Sequence, residues 1–193
     1  MPLHPAENRG YRELYLSGRQ LVEHWGRLVP AVAGSPAEAP LRDTSAATRQ
    51  MLRELEPLTA EHGLHGRFAA QGGGARIGSA RGAVVDRFLE RNQGVRLAVL
   101  DLEHVMILMA YLAKVSQGRG HAELSELCRS WERRLISHAN TLRRAVIALG
   151  DDPDAAIEPL DRSAVGRITH RLAWAVGTLG EWTDRRAGSR RGP

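Results

Sequence analysis

The sequence predicts an all-α protein built as a bundle of helices. Apolar residues recur every three to four positions over long stretches, and no stretch of useful length alternates with the period of two that marks a strand. Alanine, leucine, arginine and glutamate are plentiful while aromatic residues make up only 5% of the chain, a composition that favours helix. The 193 residues suffice for one sizeable core. We expect a single helical domain over residues 1–184 and a basic, disordered tail over residues 185–193.

Five helical segments follow from the period of the apolar residues and from the glycine and proline residues that end them. The predicted segments are 11–33, 41–62, 83–115, 121–149 and 164–184. Pro57 lies inside the second segment, where it predicts a kink or an early break. The third segment is apolar on most sides in its second half, which predicts a place at the centre of the bundle.

The lengths of the connections predict how the first four helices are arranged. They run short, long, short, and short loops join antiparallel neighbours. The long, glycine-rich connection 66–82 can extend to about 55 Å. A helix of about 23 residues is only about 35 Å long. The connection can therefore return along the whole bundle, which makes the third helix parallel to the second.

With this arrangement, the segments YRELYLSGRQLVEHWGRLVPAVA and LEHVMILMAYL resemble the bacterial stress-protein branch of the ferritin-like superfamily. The resemblance covers residues 11–150. It implies a ferritin-like four-helix bundle with a long crossover between helices two and three, to which segment 164–184 adds a C-terminal helix. It also implies a di-metal site in which carboxylates and imidazoles bind iron or manganese.

The family pattern places one Glu on each of two helices and a Glu-x-x-His pair on each of the other two. Matching this pattern residue by residue gives the candidate metal ligands Glu103, Glu132, His138, His62 and Glu56. The chain contains no Glu-x-x-His. A spacing of six residues leaves the Glu and the His of the second helix, and likewise those of the fourth, about 120° apart around the helix. The sequence therefore predicts a degenerate or absent di-metal site.

The most apolar run of the chain, residues 99–113, contains charged and titratable side chains near its start. These are Asp101, Glu103 and His104. A charge placed in a core is costly unless it is paired, hydrogen-bonded or bound to a metal. We therefore expect Asp101 and His104 to be buried polar residues beside Glu103, either as part of a metal site or as part of a polar network inside the bundle.

Cysteine usage and hydropathy point to a cytoplasmic protein. Cys128 is the only cysteine, so no disulfide forms within the chain, and its place on an apolar helix face predicts a buried thiol. The first residues lack the charged-then-apolar pattern of a signal peptide. The run 99–113 is too short and too interrupted for a membrane-spanning helix. We expect no membrane association.

The charge of the chain gives little support to nucleic-acid binding. Lys114 is the only lysine among 27 basic residues, a bias typical of GC-rich bacterial genomes. The formal net charge is +5, and the tail 185–193 carries four arginines without an acidic residue, so the rest of the chain is close to neutral. A nucleic-acid module is the weaker interpretation, and it predicts binding that falls steeply with salt.

Two functional classes remain open. The broken metal motif favours a binding or assembly protein that needs no cofactor. The alternative is a non-haem iron- or manganese-binding protein that stores metal or reduces oxygen or peroxide. We expect a homodimer, with the C-terminal helix 164–184 as a surface for a second copy or for another protein partner. The sequence identifies no catalytic residue and leaves open whether the protein is an enzyme.

Overall fold

The computed structural model describes residues 2–66, 89–161, 163 and 168. It contains four long helices, followed by a short 3-10 turn and a one-turn helix. The long helices are α1 (Pro5–Ala31), α2 (Glu38–Ala60), α3 (Arg91–Gly118) and α4 (Ala122–Ala148). Within the described residues there is no strand, only an isolated bridge between Glu90 and Pro159. The all-helical prediction is confirmed for this part of the chain. The tail and, apart from residue 168, the predicted fifth helix lie outside it.

The first helix begins at Pro5 rather than at Tyr11 because local signals start it earlier. Pro5 occupies the first turn, where a missing amide proton costs nothing. The His4 side chain accepts a hydrogen bond from the Ala6 amide, and the Glu7 carboxylate accepts one from the His4 amide. This reciprocal capping satisfies two amides that a helix leaves without partners at its start.

Contacts between the long helices, two of them hydrogen bonds, show the direction in which the first three helices run. Helix α1 packs against α2 and α3, and α4 packs against the same two helices. The Tyr15 hydroxyl near the start of α1 meets Thr59 near the end of α2, so these helices are antiparallel. The Tyr11 hydroxyl meets Ser116 at the end of α3, so α1 and α3 are also antiparallel. Helix α3 therefore runs parallel to α2, as the length of the crossover predicts.

The core lies along the apolar stripes that the sequence predicts for α1 and α4. The buried members of these stripes are Tyr11, Leu14, Tyr15, Leu21, Trp25 and Leu28 on α1, and Leu124, Cys128, Trp131, Leu135, Leu142 and Ala145 on α4. Gly10 lets α1 approach α3 closely, because a Cβ atom there would lie 2.7 Å from Cδ2 of Leu112. Helix α2 does not break at Pro57 but continues to Ala60.

The position predicted for the third helix is wrong in one respect. Among the described residues, helix α3 is covered on one side by α1 and α4, with a smaller contact from the one-turn helix that follows α4, and it occupies one corner of the bundle. Its outer face remains exposed and carries large apolar side chains such as Ile107, which is 70% exposed. A helix that is apolar all round is typically covered all round. The exposed apolar face of α3 is therefore a candidate interaction surface.

Among the described helices, none combines the length and the apolar character that crossing a membrane requires.

Candidate functional site

The two histidines among the predicted metal ligands lie far apart. The His62 ring, just beyond the end of α2, faces the His121 ring with 4.6 Å between centroids. Nδ1 of His138, in contrast, lies 3.4 Å from the hydroxyl oxygen of Thr44, near the start of α2. The 16 residues from Thr44 to Ala60 span about 24 Å along the helix axis. His62 and His138 therefore lie toward opposite ends of the bundle.

The predicted carboxylate ligands do not join either histidine in a metal-binding group. Glu103 binds the guanidinium of Arg143 across the α3–α4 contact. Glu56 is exposed on α2, and Glu132 is half-buried on α4. Across residues 2–66 and 89–161, no group of three or more His, Cys, Asp or Glu side chains is placed to hold a metal ion. These residues do not converge as the metal-binding alternative requires.

Asp101 and His104 are not buried, which corrects the sequence-based expectation. The Asp101 side chain is 53% exposed and its Oδ2 lies 3.5 Å from Nδ1 of His24. The His104 side chain is 55% exposed and its Nε2 lies 3.4 Å from Oε1 of Glu13. Both pairs join α3 to α1 at the surface. The core is filled by the other face of α3, whose buried residues include Leu102, Val105, Met109 and Leu112.

The outer side of α3 and the adjacent side of α4 form an exposed apolar surface, which we call the α3–α4 face. Its members are Leu97, Leu100, Ile107 and Tyr111 on α3 and Ile136 and Ile147 on α4, with exposed fractions between 38% and 76%. The α3 members are spaced by three, seven and four residues, so they lie in one row along four turns of the helix. His104 completes the row.

The turn between α3 and α4 sets the register of these two antiparallel helices, because the Ser125 hydroxyl donates a hydrogen bond to the Ala113 carbonyl. Counting along the helices from this contact, Ile136 lies level with Leu102, between Leu100 and Ile107 of the row, and Ile147 lies near the beginning of α3. The ion pair between Glu103 and Arg143 joins the two helices on the same side.

A second feature is a buried polar network at the end of the bundle where α1 and α4 begin. The Glu7 side chain is fully buried. Its Oε1 lies 2.8 Å from the hydroxyl of Ser116 and 2.8 Å from Nδ1 of His121, while its Oε2 accepts a hydrogen bond of 2.9 Å from the His4 amide. Burial alone raises the pKa of Glu7, but the hydrogen bonds from His121, His4 and Ser116 outweigh this effect and hold the pKa below its ordinary value. Glu7 is therefore an ionised acceptor.

The network continues from Ser116 into the core. The Tyr11 hydroxyl lies 2.8 Å from the Ser116 hydroxyl and 3.8 Å from the sulfur of Cys128. Burial, and then the neighbouring Cys128, raise the pKa of Tyr11 far above its ordinary value. Burial also raises the pKa of the Cys128 thiol to about 11. Cys128 is thus a buried, protonated thiol, as the sequence predicts, and not a nucleophile.

A cavity of about 350 Å³ adjoins this network. It is lined by Leu58, Glu61, His62, Gly120, His121, Ala122, Glu123 and Leu124. Gly120 adopts a φ of 79°, a left-handed conformation that suits glycine and turns the chain from α3 into α4. That turn places His121 between Glu7 and the cavity. Nε2 of His121 is buried and has no hydrogen-bond partner among the described residues.

Glu7 and His121 are not among the site residues that the sequence predicts. Glu7 lies before Tyr11, the residue at which the sequence predicts the first helix to begin, so it falls outside the predicted helix. A usable signal was present, since Pro5 and Glu7 mark a helix start and Glu7 lies four residues before Tyr11 on the same apolar stripe. His121 was predicted only as the first residue of the fourth helix, and nothing in its local sequence indicates a partner on α1.

Comparison of the chain with protein-family models, with curated proteins and with solved structures finds no match in any of the three. Two features of the described residues bear on function. One is the apolar α3–α4 face, and the other is the Glu7–His121 network with the cavity beside it.

Proposed function

We propose that this protein acts by self-association, in which the α3–α4 face packs against the same face of a second copy. The observation that carries the proposal is the exposed apolar row on α3. Leu100 is 58% exposed, Ile107 70% and Tyr111 49%. Single exposed apolar residues are ordinary on a monomer, but a contiguous set is typical of an interaction surface.

The shape of the row suits a second copy of this chain. Residues spaced by three and four positions form the seam along which two helices pack side by side. A copy related by a two-fold axis presents the same row in the opposite direction, so the apolar side chains on either side of His104 meet those of the second copy. Fully burying a side chain such as Ile107 contributes about 1.5–3 kcal/mol.

The charges on the face favour this arrangement as well. Glu103 and Arg143 neutralise each other within each copy. Two such faces therefore meet without placing like charges opposite one another, a placement that costs several kcal/mol in an interface. The sequence suggests a different surface, the predicted C-terminal helix 164–184. Most of that segment lies outside the described residues.

The ferritin-like relationship remains a prediction from sequence. The parallel direction of α2 and α3 supports it. Iron or manganese binding at Glu103, Glu132, His138, His62 and Glu56 also remains a prediction, and it has no geometric support because these side chains do not converge. We therefore base the proposed function on the surface of α3 and α4 and not on metal chemistry.

The test is the mass of the full-length protein in solution, measured by size-exclusion chromatography with light scattering. The variant Ile107→Glu places a charge at the most exposed apolar member of the row. The matched control is Ala46→Glu, which adds the same charge at an exposed position of α2, a helix that does not pack against α3. We expect two chains per particle for the wild type and for Ala46→Glu, and one chain for Ile107→Glu.

A wild type that contains one chain at every concentration would contradict the proposal. It would indicate instead that another part of the same chain covers the face. Equal masses for the two glutamate variants would also contradict it, since assembly would then use a different surface.

A further inference from the structure

One imidazole nitrogen of His121, Nε2, is buried without a hydrogen-bond partner among the described residues. The His121 side chain is only 7% exposed. Leaving a buried polar atom without a partner destabilises the folded protein. Because His121 lines the cavity, a ligand that enters the cavity can remove this cost by bonding to Nε2.

Glu7 determines what kind of ligand His121 can bind. The Glu7 carboxylate accepts hydrogen bonds from the Ser116 hydroxyl and the His4 amide, so we assign the proton of the 2.8 Å contact with Oε1 to Nδ1 of His121. This tautomer places the lone pair on Nε2. A histidine whose second nitrogen is held by a carboxylate is the common arrangement at metal ions, because the carboxylate orients the ring and increases its basicity.

The other polar side chains around the cavity complete a set suited to a cation. The His62 ring lies 4.6 Å from the His121 ring, measured between centroids. The carboxylates of Glu61 and Glu123 line the same cavity and are exposed. Two imidazoles and a carboxylate are ligands that Zn²⁺ binds readily, whereas sites for Mg²⁺ or Ca²⁺ use oxygen atoms almost alone.

We propose that this cavity binds one divalent transition-metal ion of the Zn²⁺ type through Nε2 of His121 and a ring nitrogen of His62. A carboxylate of Glu61 or Glu123 rotates inward to supply the third ligand, since the described side chains do not form a three-ligand group as they stand. The site lies at the end of the bundle. It shares only His62 with the ligand set predicted from the ferritin-like pattern.

The test is a titration of the untagged, full-length protein with Zn²⁺ in competition with a chromogenic chelator, together with the visible absorption of bound Co²⁺. We expect one ion per chain at neutral pH. The variant His62→Ala should weaken binding by about tenfold or more, and Glu7→Gln by about 10- to 100-fold. The intensity of the Co²⁺ bands should be that of a four-coordinate site.

Two matched controls separate the site from general binding by surface histidines. His65→Ala removes an exposed histidine three residues from His62, and His138→Ala removes a half-buried histidine near the opposite end of the bundle. Both variants should bind Zn²⁺ as the wild type does. Circular dichroism of each variant shows whether the fold is retained, and His62→Ala removes a half-buried ring without leaving Glu7 unpaired.

Absence of binding by the wild type overturns the proposal. Binding that is unchanged in His62→Ala, or equally weakened in His65→Ala, also overturns it. The titration is repeated on Ile107→Glu, which changes the α3–α4 face and not the cavity. Metal binding by that variant shows that binding in the cavity does not depend on self-association through the α3–α4 face.

Discussion

Glu7 and His121 are 114 residues apart in the sequence, yet Oε1 of the carboxylate lies 2.8 Å from Nδ1 of the imidazole. The pair joins the first turn of α1 to the residue that precedes α4, two helices that lie diagonally across the bundle. Ser116 brings α3 into the same network, and the His62 ring, just after α2, lies beside the His121 ring at a tilt of 45°. All four long helices therefore meet at this pair, and its contribution to stability can be measured.

Replacing Glu7 with alanine should lower the free energy of unfolding by about 3 kcal/mol, because the change leaves buried donors of His121, Ser116 and the His4 amide without an acceptor. Urea denaturation at neutral pH measures the change. The control is Glu13→Ala, which removes an exposed carboxylate from the same helix and should cost less than about 1 kcal/mol. Equal effects of the two substitutions would show that the buried pair does not stabilise the fold.

The ionisation of Glu7 predicts a dependence of stability on pH. The pKa of Glu7 in the folded protein is lower than its ordinary value of 4.5. Its contribution is therefore present above that value and is lost as the pH falls toward the folded-state pKa. The difference in unfolding free energy between the wild type and Glu7→Gln should be largest above pH 4.5 and shrink below it. If the difference in unfolding free energy grew as the pH fell, the pKa of Glu7 would be raised in the folded protein and not lowered.

The thiol of Cys128 should be unreactive in the folded protein. It is fully buried, and its pKa is raised to about 11. At pH 8 we expect its reaction with an aromatic disulfide reagent to be at least about a hundredfold slower in the native protein than in denaturant. Absorbance of the released thiolate gives both rates. Native and denatured rates within tenfold of each other would contradict the position of Cys128 in the core.

Glu103 should matter little to stability, although it lies in the most apolar run of the chain. Its carboxylate pairs with Arg143 and its side chain is 34% exposed. The substitution Glu103→Gln should therefore change the unfolding free energy by less than about 1 kcal/mol. The neighbouring Leu102 is fully buried, and Leu102→Ala should cost about 2–5 kcal/mol. A loss of that size in Glu103→Gln would place its carboxylate in the interior instead.

The helices of this protein can be predicted from sequence because their apolar residues keep one period. The stripe from Tyr11 to Leu28 and the seam from Leu124 to Ala145 are buried as that period predicts. The helix directions also follow, since a long connection between the second and third helices permits the third to run parallel to the second. The structure begins α3 at Arg91, after the bridge at Glu90, and residues 83–88 of the predicted third segment lie outside the described residues.

The orientation of α3 could not be predicted, because the helix is apolar on both its inner and its outer face. In such a helix, Leu102 in the core and Ile107 on the surface look alike in the sequence. That ambiguity is why Asp101 and His104 were expected to be buried. The pairing of Glu7 with His121 depends on how the first turn of α1 packs against the residue that precedes α4. The period of the apolar residues does not predict a contact between two polar residues so far apart in the sequence.

Sedimentation velocity of the full-length wild type, from about 1 to about 100 µM, tests self-association through the α3–α4 face most directly. We predict that the sedimentation coefficient rises with concentration from that of one chain to that of two, and that Ile107→Glu remains a single chain across the same range. A wild type that sediments as one chain throughout would contradict the account.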